Sequence, residues 1–166
     1  DQSVRQYIGF DTFDGFVPRD LERDGHLSSL RWKENSVRSV LGRVKLEGVY
    51  DVIELIEGDA LDTAPDTLKN FKGRKFQKGK AKFALLYIDC NAYIPAIKSM
   101  EAFLPHMVEG GIIAVDEKLQ GSESEAICDF AKSQGYVVRR FGGNSVPMAI
   151  TINKSSTSEV LQGAVE

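Results

Sequence analysis

Apolar and polar positions along this chain fall into two rhythms. Short apolar runs of strand length occur at 6–11 (QYIGFD), 51–59 (DVIELIEGD), 83–88 (FALLYI) and 110–117 (GGIIAVDE). Between them the spacing turns helical. Within 35–46, Val37, Val40, Leu41 and Val44 stand at i, i+3, i+4 and i+7, with Asn35 or Ser36 to cap the start and Gly48 to end it. Thr63 and Pro65 open a short helix with Leu68 and Phe71 on one face. A helix over 92–104 would bury Ile94, Ile97, Met100 and Leu104. Ser122 and Glu125 fit a capping box, and the helix they open would bury Ala126, Ile127, Phe130 and Ala131 before Gly135 closes it. YVVRRF (136–141) and PMAITIN (147–153) flank the turn sequence GGNS and predict a hairpin.

Strands that alternate with helices predict an α/β fold with a mostly parallel sheet. FALLYI and GGIIAV are apolar throughout, as central strands covered on both faces would be. With no internal repeat and no linker, 1–153 reads as one domain and 154–166 as a polar tail. The 166 residues, 42% apolar and 27% charged, suffice for a sizeable core. The net charge of −3 gives no general pull toward nucleic acid. No apolar run approaches the ~20 residues of a membrane span. Cys90 and Cys128 form neither a disulfide framework nor a zinc motif, so a cytoplasmic setting is the expectation. The lysine-rich stretch 69–82 reads as a solvated loop. His26 and His106 read as surface residues, Trp32 and Tyr93 as packing residues.

The chemistry sits where strands end. Asp11, Asp59, Asp89 and Asp116 each close a predicted strand. In a parallel sheet those ends lie along the edge where open α/β sheets bind ligands. An Asp in that place also serves as an ordinary helix cap, so each residue has a structural alternative. A carboxylate after an early strand suits a ribose diol, and Asp11 fits. Asp89, Asp116 and Glu117 would make a cluster of like charges that needs a cation, and its all-oxygen character suits Mg²⁺ or Ca²⁺.

GFDTFDGF (9–16), LIEGDALDTAP (55–65), ALLYIDCNAY (84–93) and GGIIAVDE (110–117), in that order, resemble the macrocin O-methyltransferase (TylF-like) family of class I S-adenosylmethionine (SAM) methyltransferases, over most of 6–135. The resemblance implies a Rossmann-like sheet with a C-terminal antiparallel hairpin. It implies SAM and Mg²⁺ as cofactors and a hydroxylated sugar or related natural product as substrate, with no nucleic-acid or membrane partner. Asp11 would hold the SAM ribose with Phe13 near the cofactor. Asp59 and Ala60 would border the adenine, and Asp89, Asp116 and Glu117 would bind Mg²⁺. A methyl group would pass in line from sulfonium to oxygen while Asp89 takes the proton.

Three departures qualify that expectation. The family's strand-four motif, Asp-x-Asp, is here Asp89-Cys90-Asn91, and an amide cannot act as the base. Its metal pair Asp-Asp is here Asp116-Glu117. No G-x-G turn occurs anywhere, so the chain resembles a family member lacking its first strand and Gly-rich cradle, and SAM binding is expected to be weak. The gap would close by a shift of the strand ending at Asp11 onto the strand ending at Asp89, by an intertwined homodimer, or by residues ahead of Asp1. Two alternatives stand beside the methyltransferase: an inactive fragment of such an enzyme, and a Mg²⁺-dependent phosphoryl hydrolase. A nicotinamide reductase is disfavoured because G-x-G-x-x-G is absent.

Overall fold

The computed structural model describes residues 6–29, 36–48, 52–69, 82–116, 121–140 and 147–153. The chain divides into two compact units, Asp1–Asn70 and Phe71–Glu166.

In the first unit, β1 (Tyr7–Asp11) pairs in parallel with β2 (Ile53–Glu57), with Tyr7 opposite Ile53 and Asp11 opposite Glu57. A parallel pair needs a long crossover. It contains α1 (Pro18–Arg23), a 3₁₀ turn (Gly25–Ser29) and α2 (Val37–Leu46). The four apolar residues of the predicted stripe, Val37, Val40, Leu41 and Val44, are the half-buried positions of α2, and its other residues are exposed. Ser36 is the cap: its hydroxyl accepts from the Ser39 N–H while Ser39 Oγ accepts from the Ser36 N–H. After β2 the chain turns at Gly58, whose φ of 134° is open to glycine and strained for other residues.

The next helix, α3, runs Ala60–Lys69 rather than starting at Thr63. Asp59 explains the earlier start. Its Oδ1 accepts the Leu61 N–H at 2.9 Å, the bond of an N-cap. Pro65 therefore lies inside the helix instead of opening it. Phe71, expected on the same face as Leu68, lies outside the described residues, as do Trp32 and most of the lysine-rich stretch.

In the second unit the strand order is β3-β4-β6-β5. β3 (Phe83–Ile88) and β4 (Met107–Val115) are parallel, joined through α4 (Tyr93–Phe103) and a 3₁₀ turn (Leu104–His106). After α5 (Ser122–Gln134), β5 (Arg139–Arg140) and β6 (Met148–Thr151) form the antiparallel pair predicted from the sequence, and β6 runs antiparallel to β4. Helices α4 and α5 cover one face of the sheet. Met100 and Phe103 from α4, Ala126, Ile127, Phe130 and Ala131 from α5, and Ile88, Ile113 and Val115 from the strands are all buried there. Phe83 meets Phe103 edge-to-face, with ring centroids 5.2 Å apart.

Several expectations are corrected in this unit. β3 and β4 are not covered on both faces: Leu85, Tyr87 and Ile112 are exposed, and the register pairs Leu85 with Ile112 on one face. β4 starts three residues early, because buried Met107 already pairs with Phe83 and the sequence Gly110-Gly111 is a register shift within the strand instead of its beginning. Ser122 is not a cap. Gly121 holds that place without a side-chain bond, and Ser122 is the first helical residue. On α4 the buried residues are Pro95, Ala96, Met100 and Phe103, while Ile94, Ile97 and Leu104 are half-buried. Gly135 ends α5 in the left-handed conformation at φ 72°, as expected.

Candidate active site

Both parallel pairs carry carboxylates at their C-terminal ends, and each pair builds its ends from the same local logic. In the first unit, Asp11 closes β1 and Asp59 follows β2. The two strand ends are tied by the Gly58 N–H to the Asp11 carbonyl at 2.9 Å. Asp11 Oδ1 accepts the Phe13 N–H at 2.8 Å, which bends the chain so tightly that Phe13 takes φ 52°. A non-glycine residue in that region signals a turn held by its surroundings. The Asp11 carboxylate is exposed beyond the turn, which is the disposition a diol-binding acid needs.

Asp59 is more enclosed. Its carboxylate caps α3 and receives Arg19 as a fork, Nη1 to Oδ2 at 2.9 Å and Nη2 to Oδ1 at 3.4 Å. The same guanidinium donates from Nε to Asp20 Oδ1 at 2.9 Å, and Asp20 is buried. Burial works against the charge on Arg19, but its bonds to Asp20 and Asp59 outweigh that and raise its pKa. Burial pushes the Asp20 carboxyl up, against the pull of Arg19. Ala60 follows directly as the first residue of α3. Asp11, Phe13, Asp59 and Ala60 therefore share the C-terminal edge of the β1–β2 pair.

In the second unit, Asp89 follows β3 and Asp116 follows β4. The Asp116 N–H donates to the Ile88 carbonyl at 2.9 Å, so the two acids leave adjacent strands at the same level, and both are exposed. Tyr87 Oη donates to Asp116 Oδ1. That hydrogen bond first, burial second, and then the charges of Asp116, Asp89 and Glu123 push the Tyr87 phenol up to about 12. The turn after β3 is held from α5. Glu123, wholly buried, accepts the N–H groups of both Cys90 and Asn91 on one oxygen, the second at 2.6 Å. Asn91 takes φ 56° in that turn, a conformation Asn tolerates better than most residues. Its amide leaves Asp89 as the only acid of the turn at 89–91.

The two exposed carboxylates give the all-oxygen donors of a hard cation. Glu117, the third expected ligand, lies outside the described residues, and among the described residues no group of three His, Cys, Asp or Glu side chains is placed to hold a metal ion. His26 lies exposed in the first 3₁₀ turn, and His106 lies half-buried in the second, directly ahead of the start of β4. A cleft of about 160 Å³ lined by Tyr136, Val137, Arg139 and Thr151 lies toward the opposite end of the second sheet, since Thr151 pairs with Ile112 at the early part of β4.

Sequence reasoning missed Arg19, Asp20, Tyr87 and Glu123. Tyr87 carried a faint signal, as the one side chain with a hydroxyl in an otherwise apolar run. Glu123 and Arg19 carried none, because each acts on a residue more than thirty positions away.

This arrangement is that of a Rossmann-like α/β fold with acids on the carboxyl edge of parallel strands. The chain belongs to the family described as "Methyltransferase domain", whose sequence profile matches residues 1–117. Among solved structures, it is similar to CalS11, described as a calicheamicin methyltransferase, at 23% identity with a TM-score of 0.63, covering 89% of this chain and 60% of that one. It is similar to the O-methyltransferase NovP at 16% identity and a TM-score of 0.65, covering 90% and 61%. An apo structure of CalS11, described as TDP-rhamnose 3'-O-methyltransferase, matches at 24% identity and a TM-score of 0.54, covering 89% and 58%. At these identities the likeness is one of fold. The chain spans about 60% of the length of these structures. No curated protein sequence matches it. No helix among the described residues is long and apolar enough to cross a membrane.

Proposed function

We propose that this protein is a SAM-dependent O-methyltransferase acting on a hydroxyl of a sugar or related small natural product, as a member of the TylF-like group. The observation that carries the reading is the placement of acids at the ends of two parallel strand pairs, exposed Asp11 with half-buried Asp59 and exposed Asp89 with exposed Asp116. Family membership and the fold shared with sugar O-methyltransferases support it.

Each acid has a task set by its place. Asp11 accepts the two ribose hydroxyl hydrogens, its backbone turn already fixed by the bond to Phe13. Asp59 and Ala60 border the adenine. Asp89 and Asp116, with Glu117, would hold Mg²⁺. Bound there, the cation supplies Lewis acidity that lowers the pKa of an acceptor hydroxyl. Asp89 accepts the hydroxyl proton as the oxygen takes the methyl group, since Asn91 has no basic oxygen to offer. Residues that align donor and acceptor lower the barrier by removing rotational and translational freedom, an effect worth up to ~7–11 kcal/mol in favourable cases.

The test is transfer of a labelled methyl group from SAM, at saturating concentration with added Mg²⁺, to a panel of nucleotide-linked and free deoxysugars. Label on a sugar oxygen, lost on Asp89→Asn, is the expected outcome. Label on no acceptor, or equal transfer by Asp89→Asn, overturns the reading.

A further inference from the structure

Asp89 stands between two peptide planes, and each is held from outside its own strand. The plane before it carries the Ile88 carbonyl, which accepts the Asp116 N–H at 2.9 Å. The plane after it carries the Cys90 N–H, which donates to Glu123 Oε1. A peptide plane is rigid, so fixing both planes fixes φ and ψ of Asp89 and the direction in which its side chain leaves the backbone. The first restraint ties Asp89 to Asp116, and the second comes from α5. Glu123 accepts the Asn91 N–H on the same oxygen at 2.6 Å. Two successive N–H groups that converge on one point, with the second residue at φ 56°, form the concavity in which a backbone holds an anion. Here the anion is the protein's own, delivered from a wholly buried position in the first turn of α5. That helix is anchored in turn by buried Ala126, Ile127 and Phe130. Ala92, the N-cap of α4 at the far end of the turn, makes no side-chain cap bond.

Resting on the reading of Asp89 and Asp116 as cation ligands, we infer that Glu123 is a positioning residue for that pair. By filling the concavity behind Asp89, it holds the Asp89 carboxylate at the setting from which it shares a divalent cation with Asp116. Glu123, wholly buried, acts through the backbone and not as a ligand. Without its oxygen the two N–H groups turn to water, Asn91 leaves the left-handed region, and Asp89 loses its fixed direction. A merely structural bond between α5 and the turn would change stability and leave the cation affinity of the folded protein as it was.

The two possibilities separate in the affinity of the whole chain for Mn²⁺, an oxygen-preferring dication that stands in for Mg²⁺ and is read directly by electron paramagnetic resonance. Neither SAM nor an acceptor is added. Each variant is titrated to millimolar Mn²⁺ well below its unfolding transition, with the folded state checked by circular dichroism. The unaltered chain is expected to bind, and Asp89→Asn to bind much less. Glu123→Ala is expected to weaken binding by ~10–100-fold, the usual effect of losing a group that orients a metal ligand. Glu123→Gln keeps an acceptor oxygen for both N–H groups and is expected to stay within ~3-fold of the unaltered chain. Glu123→Asp keeps the charge but falls one methylene short, and is expected to weaken binding as Glu123→Ala does. It carries the test should Glu123→Ala fail to fold. Unchanged affinity in the Ala or Asp variant, or a loss in the Gln variant as large as in these, overturns the inference while the cation reading stands. If the unaltered chain binds no Mn²⁺, or Asp89→Asn binds it equally well, the reading beneath the inference fails, and the inference with it.

Discussion

Tyr87 places a phenol among three carboxylates, and its behaviour is the most direct measure of their arrangement. Its hydroxyl donates to Asp116, and that bond, more than burial, pushes its pKa up to about 12 from a usual 10.0. In the protein without added divalent cation, the difference in ultraviolet tyrosine titration between the unaltered chain and Tyr87→Phe should isolate a midpoint near 12. Asp116→Asn should bring that midpoint back toward the ordinary value. The sign for stability follows from the folded form holding its proton more tightly. The contribution is fully present below about pH 10 and is lost as pH rises toward about 12. Glu123 offers a second residue-scale test. It satisfies the N–H groups of Cys90 and Asn91 from a fully buried position. Glu123→Ala strands both donors and should lower stability by ~2–3 kcal/mol in denaturant unfolding, because an unsatisfied buried group costs about 1–3 kcal/mol. Glu123→Gln keeps an acceptor oxygen and should cost distinctly less.

At the scale of elements, the helices were the most legible part of the chain. The stripe Val37, Val40, Leu41 and Val44 is the half-buried face of α2, and Ala126, Ile127, Phe130 and Ala131 are the buried face of α5. Periodicity finds such faces because burial follows them. Capping was less legible. Ser122 with Glu125 has the spelling of a capping box, yet Gly121 holds the cap position and Ser122, Glu123 and Ser124 are buried, since Glu123 is drawn inward to the turn after β3. Asp59 was read as a strand-end acid and is also the cap that starts α3 four positions ahead of the apparent Thr63-Pro65 signal. Two consequences are measurable. Ser36→Ala removes the cap of α2 and should cost ~1 kcal/mol. Phe130→Ala empties the centre of the cluster between α5 and the sheet and should cost ~3–5 kcal/mol. A loss for Phe130→Ala under ~1 kcal/mol would show that α5 does not carry the core of the second unit.

For the whole molecule, the chain order of strands and helices was readable from alternating patterns, and so was the antiparallel β5–β6 pair. Exposure was not. FALLYI looks like a strand buried on both faces, but Leu85 and Tyr87 are exposed, because an apolar run specifies a strand without specifying what covers it. The acids at the strand ends were legible for the same reason the fold was: Asp11, Asp89 and Asp116 each stop an apolar run, and Asp59 follows the end of one by three positions. The partners that aim them, Arg19 for Asp59 and Glu123 for the turn at Asp89, come from distant sequence and only folding brings them together. The proposed function puts the cofactor on the carboxyl edge of the β1–β2 pair. NMR titration of the labelled chain with S-adenosylhomocysteine tests it most directly. The prediction is weak binding, since no G-x-G turn occurs in the chain, with shift changes centred on Asp11, Phe13 and Asp59–Leu61 and abolished by Asp11→Asn. Saturable shifts centred instead on the cleft at Tyr136 and Arg139, or no response at millimolar ligand, would contradict it.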